Sequence, residues 1–132
     1  KFISENAEKR VLTHIDAVPD NFLLYRDSSG QEQLQLIDWE YAGMSDPITD
    51  IAMFGLYSFY SKTEFDKLLE LYFARTPTSE EQLRYYSYVA LGGFLWYMWA
   101  VNREATGVSF GNYAKTMYGY TKDFYEYIKD EL

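Results

Sequence analysis

The sequence predicts an α+β fold that is mainly helical, and three observations support this. First, Val11–Thr13 and the β-prone runs at residues 22–25 and 34–37 lie near the N-terminus, with the turn-forming residues 27–30 between the last two. Second, apolar residues in the rest of the chain recur at helical spacing. Third, the 132 residues are 48% hydrophobic and contain no linker rich in Pro, Gly or Ser. We therefore expect a single domain, residues 1–132, with one β-hairpin followed by about four helices.

The register of the hairpin determines which polar side chains meet. A turn centred near residues 29–30 places Phe22 opposite Ile37 and Asn21 opposite Asp38. We therefore expect two side chains of the kind that bind metal ions to lie together.

Each predicted helix begins at a recognisable signal. Asp46 is a good N-cap with Pro47 at the first helical position, Thr63 is the predicted cap of the second helix, and Ser79 with Gln82 forms a capping-box pattern for the third. The four helices are expected over residues 46–60, 63–76, 79–104 and 110–129. The last of them would pack one aromatic face formed by Tyr113, Met117, Tyr120, Phe124 and Tyr127.

Charge and composition exclude several classes of partner. The net charge of −8 would repel nucleic-acid phosphates, so we exclude DNA and RNA as main partners. The same charge suits a cationic small molecule, whereas a phosphate ligand would need the positive charge of metal ions. The absence of cysteine excludes disulfides and thiolate chemistry and fits a cytoplasmic protein.

Residues 85–102 carry no charge and are long enough to span a bilayer. They include Gly92, Gly93 and several tyrosines, and they are poor in leucine and valine for a spanning segment. We therefore expect a buried helix and no membrane insertion.

Three oxygen-bearing side chains occur at the spacing that phosphoryl transfer needs. Asp16 lies in a loop, Asn21 follows five residues later, and Asp38 ends the returning strand. In such a site the loop aspartate accepts the proton of the acceptor hydroxyl, while the amide and the second carboxylate bind Mg²⁺ at the phosphates of ATP. The alternative is that all three side chains serve turns and caps.

These residues belong to three motifs: His-x-Asp-x-x-x-x-Asn at residues 14–21, Ile-Asp-Trp-Glu-Tyr-Ala-Gly at 37–43 and Asp-Pro-x-x-Asp-Ile-Ala at 46–52. In these motifs the chain resembles the choline/ethanolamine kinase family, and the resemblance covers most of its length. The first motif is shared with aminoglycoside phosphotransferases and other kinase-like enzymes, whereas the second is more typical of choline and ethanolamine kinases. The resemblance implies the C-terminal lobe of a protein-kinase-like fold.

The resemblance also implies supporting roles for neighbouring residues. His14 would pack and hydrogen-bond beneath the loop at residues 14–21, which we call the catalytic loop. The usual pKa of histidine alone would suggest a general base. Asp50 would tie that loop to the following helix, and Asp20 would be solvated. Glu40 has three open roles: assisting the metal site, attracting a cationic substrate or forming a salt bridge.

An aromatic site for the amine is predicted on the third helix. Trp96 and Trp99 are three residues apart and share a helix face. They resemble the Trp-x-x-Trp element that lines the choline site of the family, to which Tyr113 would add a third ring. Each ring attracts a quaternary ammonium by about 0.5 to 2 kcal/mol. Ordinary core packing is the alternative, and Tyr41 and Trp39 are weaker candidates.

A kinase-like enzyme also needs a lobe that covers the nucleotide, and no Gly-x-Gly-x-x-Gly occurs here. We therefore expect a C-terminal portion that is inactive alone and has apolar surface favouring self-association. The predicted activity of the parent protein is ATP-dependent phosphorylation of choline. The alternatives are another acceptor (ethanolamine, thiamine or an aminoglycoside) or a non-catalytic module that binds quaternary amines.

Overall fold

The computed structural model describes residues 10–131, and the predictions for Lys1 to residue 9 and for Leu132 lie outside the described residues. Its strands are β1 (Val11–Thr13), β2 (Phe22–Arg26), β3 (Glu32–Leu36) and β4 (Gly43–Ser45). Its α-helices are α1 (Ile48–Tyr57), α2 (Lys62–Phe73), α3 (Ser79–Glu104) and α4 (Tyr113–Ile128). Short 3₁₀ turns occur at Pro19–Asn21, Trp39–Tyr41 and Lys129–Glu131. The mainly helical α+β class with one hairpin and four helices is confirmed.

The strands form two antiparallel pairs, β1 with β4 and β2 with β3. Strand β4 was not predicted, because a three-residue run of Gly, Met and Ser carries no β signal of its own and depends on its partner β1. The pairing brings the beginning of the catalytic loop next to the segment that leads into α1.

The predicted hairpin register was wrong by one residue. Phe22 pairs with Leu36, and the ladder continues with the N–H of Ile37 donating to the carbonyl of Asn21 at 3.0 Å. The cause is a five-residue loop, in which Asp27 Oδ1 accepts the backbone N–H groups at positions 29 and 31. Asn21 therefore lies opposite Ile37, and Asp38 follows one residue beyond it.

The helix starts also differ slightly from prediction. The N-cap of α2 is Ser61 and not Thr63, and that of α3 is Thr78 and not Ser79. In both capping boxes the residue three positions on is a glutamate, whose carboxylate accepts the N–H of the cap at 2.7 Å. A carboxylate is a stronger acceptor than the amide of Gln82, which explains why the capping box of α3 begins at Thr78 and not at Ser79.

Helix α1 is shorter than predicted, because Phe59 has a φ of 54° and turns the chain away after Tyr57. Helix α4 begins at Tyr113 and not at residue 110, since Gly111 has a φ of 61°.

The core lies between α3 and its neighbours α1, α2 and α4. Two glycines allow α3 to approach them closely: a Cβ at Gly92 would lie 2.6 Å from the Leu56 side chain, and one at Gly93 2.9 Å from the Met117 carbonyl. Tyr85 is fully buried in this core. Within residues 10–131, no helix is both long enough and apolar enough to cross a membrane.

A buried ion pair joins the start of α1 to α3. Arg84 Nε lies 3.1 Å from Asp46 Oδ2, and both side chains are almost completely excluded from solvent. Asp46 Oδ1 also accepts the N–H of Ile48 at 3.0 Å, so this carboxylate supports the beginning of α1, as its predicted capping role requires.

Candidate active site

Asp50 on α1 holds the catalytic loop by its backbone. Its carboxylate accepts the N–H of His14 at 2.9 Å and that of Ile15 at 2.7 Å. Ile15 has a φ of 69°, a left-handed conformation that is costly for a β-branched residue. The two hydrogen bonds therefore stabilise a strained turn immediately before Asp16. This is the link between loop and helix that was predicted for Asp50.

His14 lies beneath the loop with its ring almost completely buried, at 1% exposure. Its Nε2–H donates to the carbonyl of Ile37 at 2.8 Å, since a carbonyl oxygen can only accept. The Trp39 ring contacts the imidazole edge to face, with centroids 4.8 Å apart, and its Nε1–H donates to the carbonyl of Leu36 at 2.9 Å. The loop and the end of β3 are thus joined by packed rings, a geometry that suits a structural role for His14.

Asp16 and Asn21 are in direct contact, because Asn21 Nδ2 donates to the carbonyl of Asp16 at 3.0 Å. Asp38 has a φ of 65°, another left-handed residue without glycine's freedom. Its carboxylate makes no hydrogen bond to any residue between 10 and 131. The register places Asn21 and Asp38 at the same end of the hairpin but one residue out of alignment.

The donor chemistry at this end of the hairpin fits Mg²⁺. With Nδ2 of Asn21 engaged, the amide oxygen remains as an acceptor, and the Asp38 carboxylate is exposed. In nucleotide enzymes Mg²⁺ is held by one or two carboxylates together with substrate phosphates and water. Among residues 10–131, no three His, Cys, Asp or Glu side chains form a cluster that could hold a metal without such phosphates.

A cavity of about 540 Å³ joins the base candidate to the aromatic helix face. It is lined by Ile15, Asp16, Glu40, Tyr41, Met53, Tyr57, Leu95, Trp96 and Trp99. Four of the predicted site residues, from three separate segments of the chain, thus lie together: Asp16, Glu40, Trp96 and Trp99. Tyr113, also predicted, is not part of this lining.

The aromatic wall of the cavity is continuous. Trp96 contacts Trp99 edge to face at 5.5 Å, and Trp99 contacts Phe110 at 5.0 Å. Trp96 also packs against the core, so the predicted core role and cavity role both apply to it. The guanidinium of Arg103 lies over the Trp99 ring, 5.8 Å from its centroid, so this ring already attracts a cation.

Tyr113 lies beside the aromatic wall without lining the cavity. It contacts Phe110 at 6.4 Å and Phe59 at 6.1 Å, and burial raises the pKa of its hydroxyl to about 12. Phe110 thus contacts both Tyr113 and Trp99, a link that the sequence did not indicate.

Tyr57 is a site residue that the sequence prediction missed. Its hydroxyl donates to Asp16 Oδ1 at 3.0 Å, and burial together with the Asp16 charge raises the pKa of Tyr57 far above its usual value. The available signal was its spacing, since Tyr57 lies seven residues after Asp50 and therefore on the same face of α1.

A helical lobe with a strained aspartate loop, a hairpin that ends in Asp38 and a cavity beside the aspartate defines the catalytic lobe of a kinase-like enzyme. Residues 3–86 match the family described as "Phosphotransferase enzyme family". The chain belongs to this family.

The similar proteins are choline and ethanolamine kinases. "Protein LicA" of Haemophilus influenzae (strain ATCC 51907 / DSM 11121 / KW20 / Rd) is 35% identical over 109 residues, which are 76% of this chain and 38% of that protein. The structure of choline kinase LicA from Streptococcus pneumoniae is 30% identical with a TM-score of 0.67, covering 95% of this chain and 43% of that one. A choline/ethanolamine kinase family protein from Mesorhizobium loti is 23% identical with a TM-score of 0.72, covering 95% and 44%. The predicted choline-kinase-like fold is confirmed, and the chain spans less than half the length of these relatives.

Proposed function

We propose that this chain is the catalytic and acceptor-binding part of an ATP-dependent phosphotransferase that converts choline to phosphocholine. One observation carries the proposal: Asp16, Trp96, Trp99 and Glu40 line a single cavity. A base and a cation-binding wall are therefore within reach of one small molecule that has a hydroxyl at one end and an ammonium at the other.

In the proposed reaction, Asp16 accepts the proton of the choline hydroxyl as the hydroxyl oxygen attacks the γ-phosphorus of ATP. The new bond joins that oxygen to phosphorus, and the bond from the γ-phosphorus to the bridging oxygen of ADP breaks. Asn21 and Asp38 are the residues that would hold Mg²⁺, which supplies positive charge at the phosphates when bound. The rigid loop matters because this chemistry depends mainly on positioning.

The ammonium end is recognised by aromatic faces and by negative charge. Quaternary ammonium cannot donate a hydrogen bond, so the Trp96 and Trp99 rings supply the attraction through their quadrupoles. Glu40 lies in the same cavity and adds a longer-range attraction, which is the cation-binding role among its three predicted ones. Tyr113 was predicted as a third ring, but it does not line this cavity.

Ethanolamine is the second candidate acceptor, and Glu40 is the reason. A primary ammonium can donate hydrogen bonds, and the Glu40 carboxylate in the cavity is an acceptor for them. The exposed Tyr41 hydroxyl beside it would serve the same purpose.

The relatives support the nucleotide and the acceptor. A solved structure of LicA in complex with AMP is 30% identical with a TM-score of 0.68, and this supports an adenine nucleotide as co-substrate. Because the chain spans 38% of the Haemophilus relative, we propose that a nucleotide-binding lobe outside these 132 residues completes the enzyme. Inactivity of this portion alone, its self-association and a cytoplasmic location stay predictions.

The first test is binding by the 132-residue chain. Choline is titrated while tryptophan fluorescence is recorded, and 3,3-dimethylbutan-1-ol, which has the same shape without the charge, is the control ligand. Choline should bind and the neutral alcohol should bind at least several-fold more weakly. Equal binding of both would contradict the cation site.

The second test is turnover by the enzyme that includes the nucleotide lobe. Choline, ethanolamine, thiamine and an aminoglycoside are each supplied with Mg-ATP, and we expect the highest kcat/KM with choline. Trp99→Ala should raise KM for choline about 2- to 30-fold with little change in kcat. Binding of choline without turnover of any acceptor would favour the non-catalytic module instead.

A further inference from the structure

The last residue of α1 makes a contact that none of the three motifs explains. Tyr57 Oη donates to Asp16 Oδ1 at 3.0 Å, across 41 positions of sequence. The other carboxylate oxygen, Oδ2, accepts no hydrogen bond from any residue between 10 and 131. One oxygen of Asp16 is thus held by the protein, and the other remains for an acceptor hydroxyl.

Helix α1 therefore contacts both the backbone and a side chain of the catalytic loop. Asp50 binds the loop backbone at His14 and Ile15, while Tyr57 binds the side chain of Asp16 itself. The two residues are seven positions apart, which is about two helical turns, so they act from the same face. Movement of the loop relative to the helix would break both sets of bonds.

The tyrosine ring is itself well supported. It is partly buried and contacts the Trp96 ring edge to face, with centroids 5.4 Å apart. Because burial raises the pKa of its hydroxyl, Tyr57 remains a hydrogen-bond donor at any pH at which the enzyme would be assayed. The donor is therefore fixed in place, and burial favours its protonated form.

We propose that Tyr57 is a positioning residue that sets the orientation of the Asp16 carboxylate through the hydrogen bond from Oη to Oδ1. This inference rests on the proposed function, because orientation of Asp16 matters only if Asp16 is the base. Tyr57 also lines the acceptor cavity, but its hydroxyl bonds to Asp16 and acts on the reaction through that carboxylate.

The test is Tyr57→Phe in the enzyme that includes the nucleotide lobe, with choline and Mg-ATP. The substitution retains the ring and its contact with Trp96 and removes only the hydroxyl. We expect kcat to fall about 10- to 100-fold, since a misplaced catalytic group loses this much, and KM for choline to change by less than about twofold.

Tyr60→Phe is the matched control. Tyr60 follows α1 and packs its ring against Phe54 and Phe65, but its hydroxyl bonds to no residue of the described range. Loss of the Tyr60 hydroxyl should leave kcat unchanged. Circular dichroism and the thermal midpoint of each variant establish that both variants fold.

A double-mutant cycle distinguishes positioning from a general structural effect. In an Asp16→Asn background the residual turnover should be the same with Tyr57 and with Phe at this position, because the residue acts through Asp16. An unchanged kcat in the single variant, or an equal fold-loss in both backgrounds, would overturn the proposal while the proposed function stands. If the wild-type enzyme turns over no acceptor, the proposed function fails and this inference fails with it.

Discussion

Replacement of Asp50 by alanine should destabilise the chain through the catalytic loop. It removes two charge-assisted hydrogen bonds, to the N–H groups of His14 and Ile15 at 2.9 and 2.7 Å. Since Asp50 is only partly buried, the lower end of the usual range applies, about 1.5 kcal/mol for each bond. Relaxation of Ile15 from its left-handed conformation would return about 1 kcal/mol. The expected net loss in unfolding free energy is about 2 kcal/mol.

The measurement is urea unfolding of the 132-residue chain, followed by circular dichroism. Asp50→Asn keeps one acceptor oxygen, so its unfolding free energy should fall by about 1 kcal/mol, roughly half of the loss expected for Asp50→Ala. Asp20→Ala is the control, because Asp20 is exposed in the same loop region and bonds to no residue of the described range. If the unfolding free energy of Asp50→Ala is within about 0.5 kcal/mol of that of Asp20→Ala, the Asp50 carboxylate does not hold the loop.

Three further predictions concern packing and ionisation. Asp46→Ala should cost about 3 to 5 kcal/mol in urea unfolding, because it removes the carboxylate that pairs with the buried Arg84 guanidinium. Gly55→Ala should lower the thermal midpoint, since a Cβ there would overlap a phenylalanine ring of α2, whereas Gly119→Ala meets open space in a helix and should add about 0.5 to 1 kcal/mol. Because the folded state holds the pKa of Tyr113 at about 12, above the usual 10.0, its stabilising contribution is complete below pH 10 and is lost as pH rises to about 12. Tyr113→Phe should therefore reduce the fall in thermal midpoint over that range.

Each of these predictions has a matched comparison. Arg26→Ala breaks an exposed ion pair with Glu32 and should change stability by less than about 1 kcal/mol, so an equal loss in Asp46→Ala would show that burial is unimportant there. An unchanged thermal midpoint in Gly55→Ala would mean that α1 and α2 can separate at no cost. Tyr25→Phe removes an exposed hydroxyl and is the control for Tyr113→Phe. If both substitutions change the pH dependence of the thermal midpoint equally, burial of Tyr113 does not cause the effect.

Local signals determined most of the fold. Helical spacing and turn residues predicted every α-helix within a few residues, because these signals act over three or four positions. The hairpin register could not be obtained in this way, since it depends on a five-residue loop closed by Asp27. A one-residue error in loop length shifts the partner of every residue along the strand.

The site shows the same division between local and long-range information. Asp16 and the two tryptophans were predicted because short motifs carry them, and all three line one cavity. Tyr57 was missed because a tyrosine at a helix end has no distinctive motif, and its bond to Asp16 joins positions 41 residues apart. Tyr113 was assigned to the same wall by resemblance, but it does not line the cavity, and Phe110 contacts both Tyr113 and Trp99.

The charge of the cavity links the proposed acceptor to the proposed need for a metal. Asp16 and Glu40 both line it, and the chain carries a net charge of −8. Such a cavity attracts an amine but repels the phosphates of ATP. Transfer of a phosphoryl group into this field therefore requires positive charge on the phosphate side, which Asn21 and Asp38 would supply by holding Mg²⁺. In the proposed reaction the negative cavity would thus favour a cationic acceptor and at the same time make phosphoryl transfer depend on the metal.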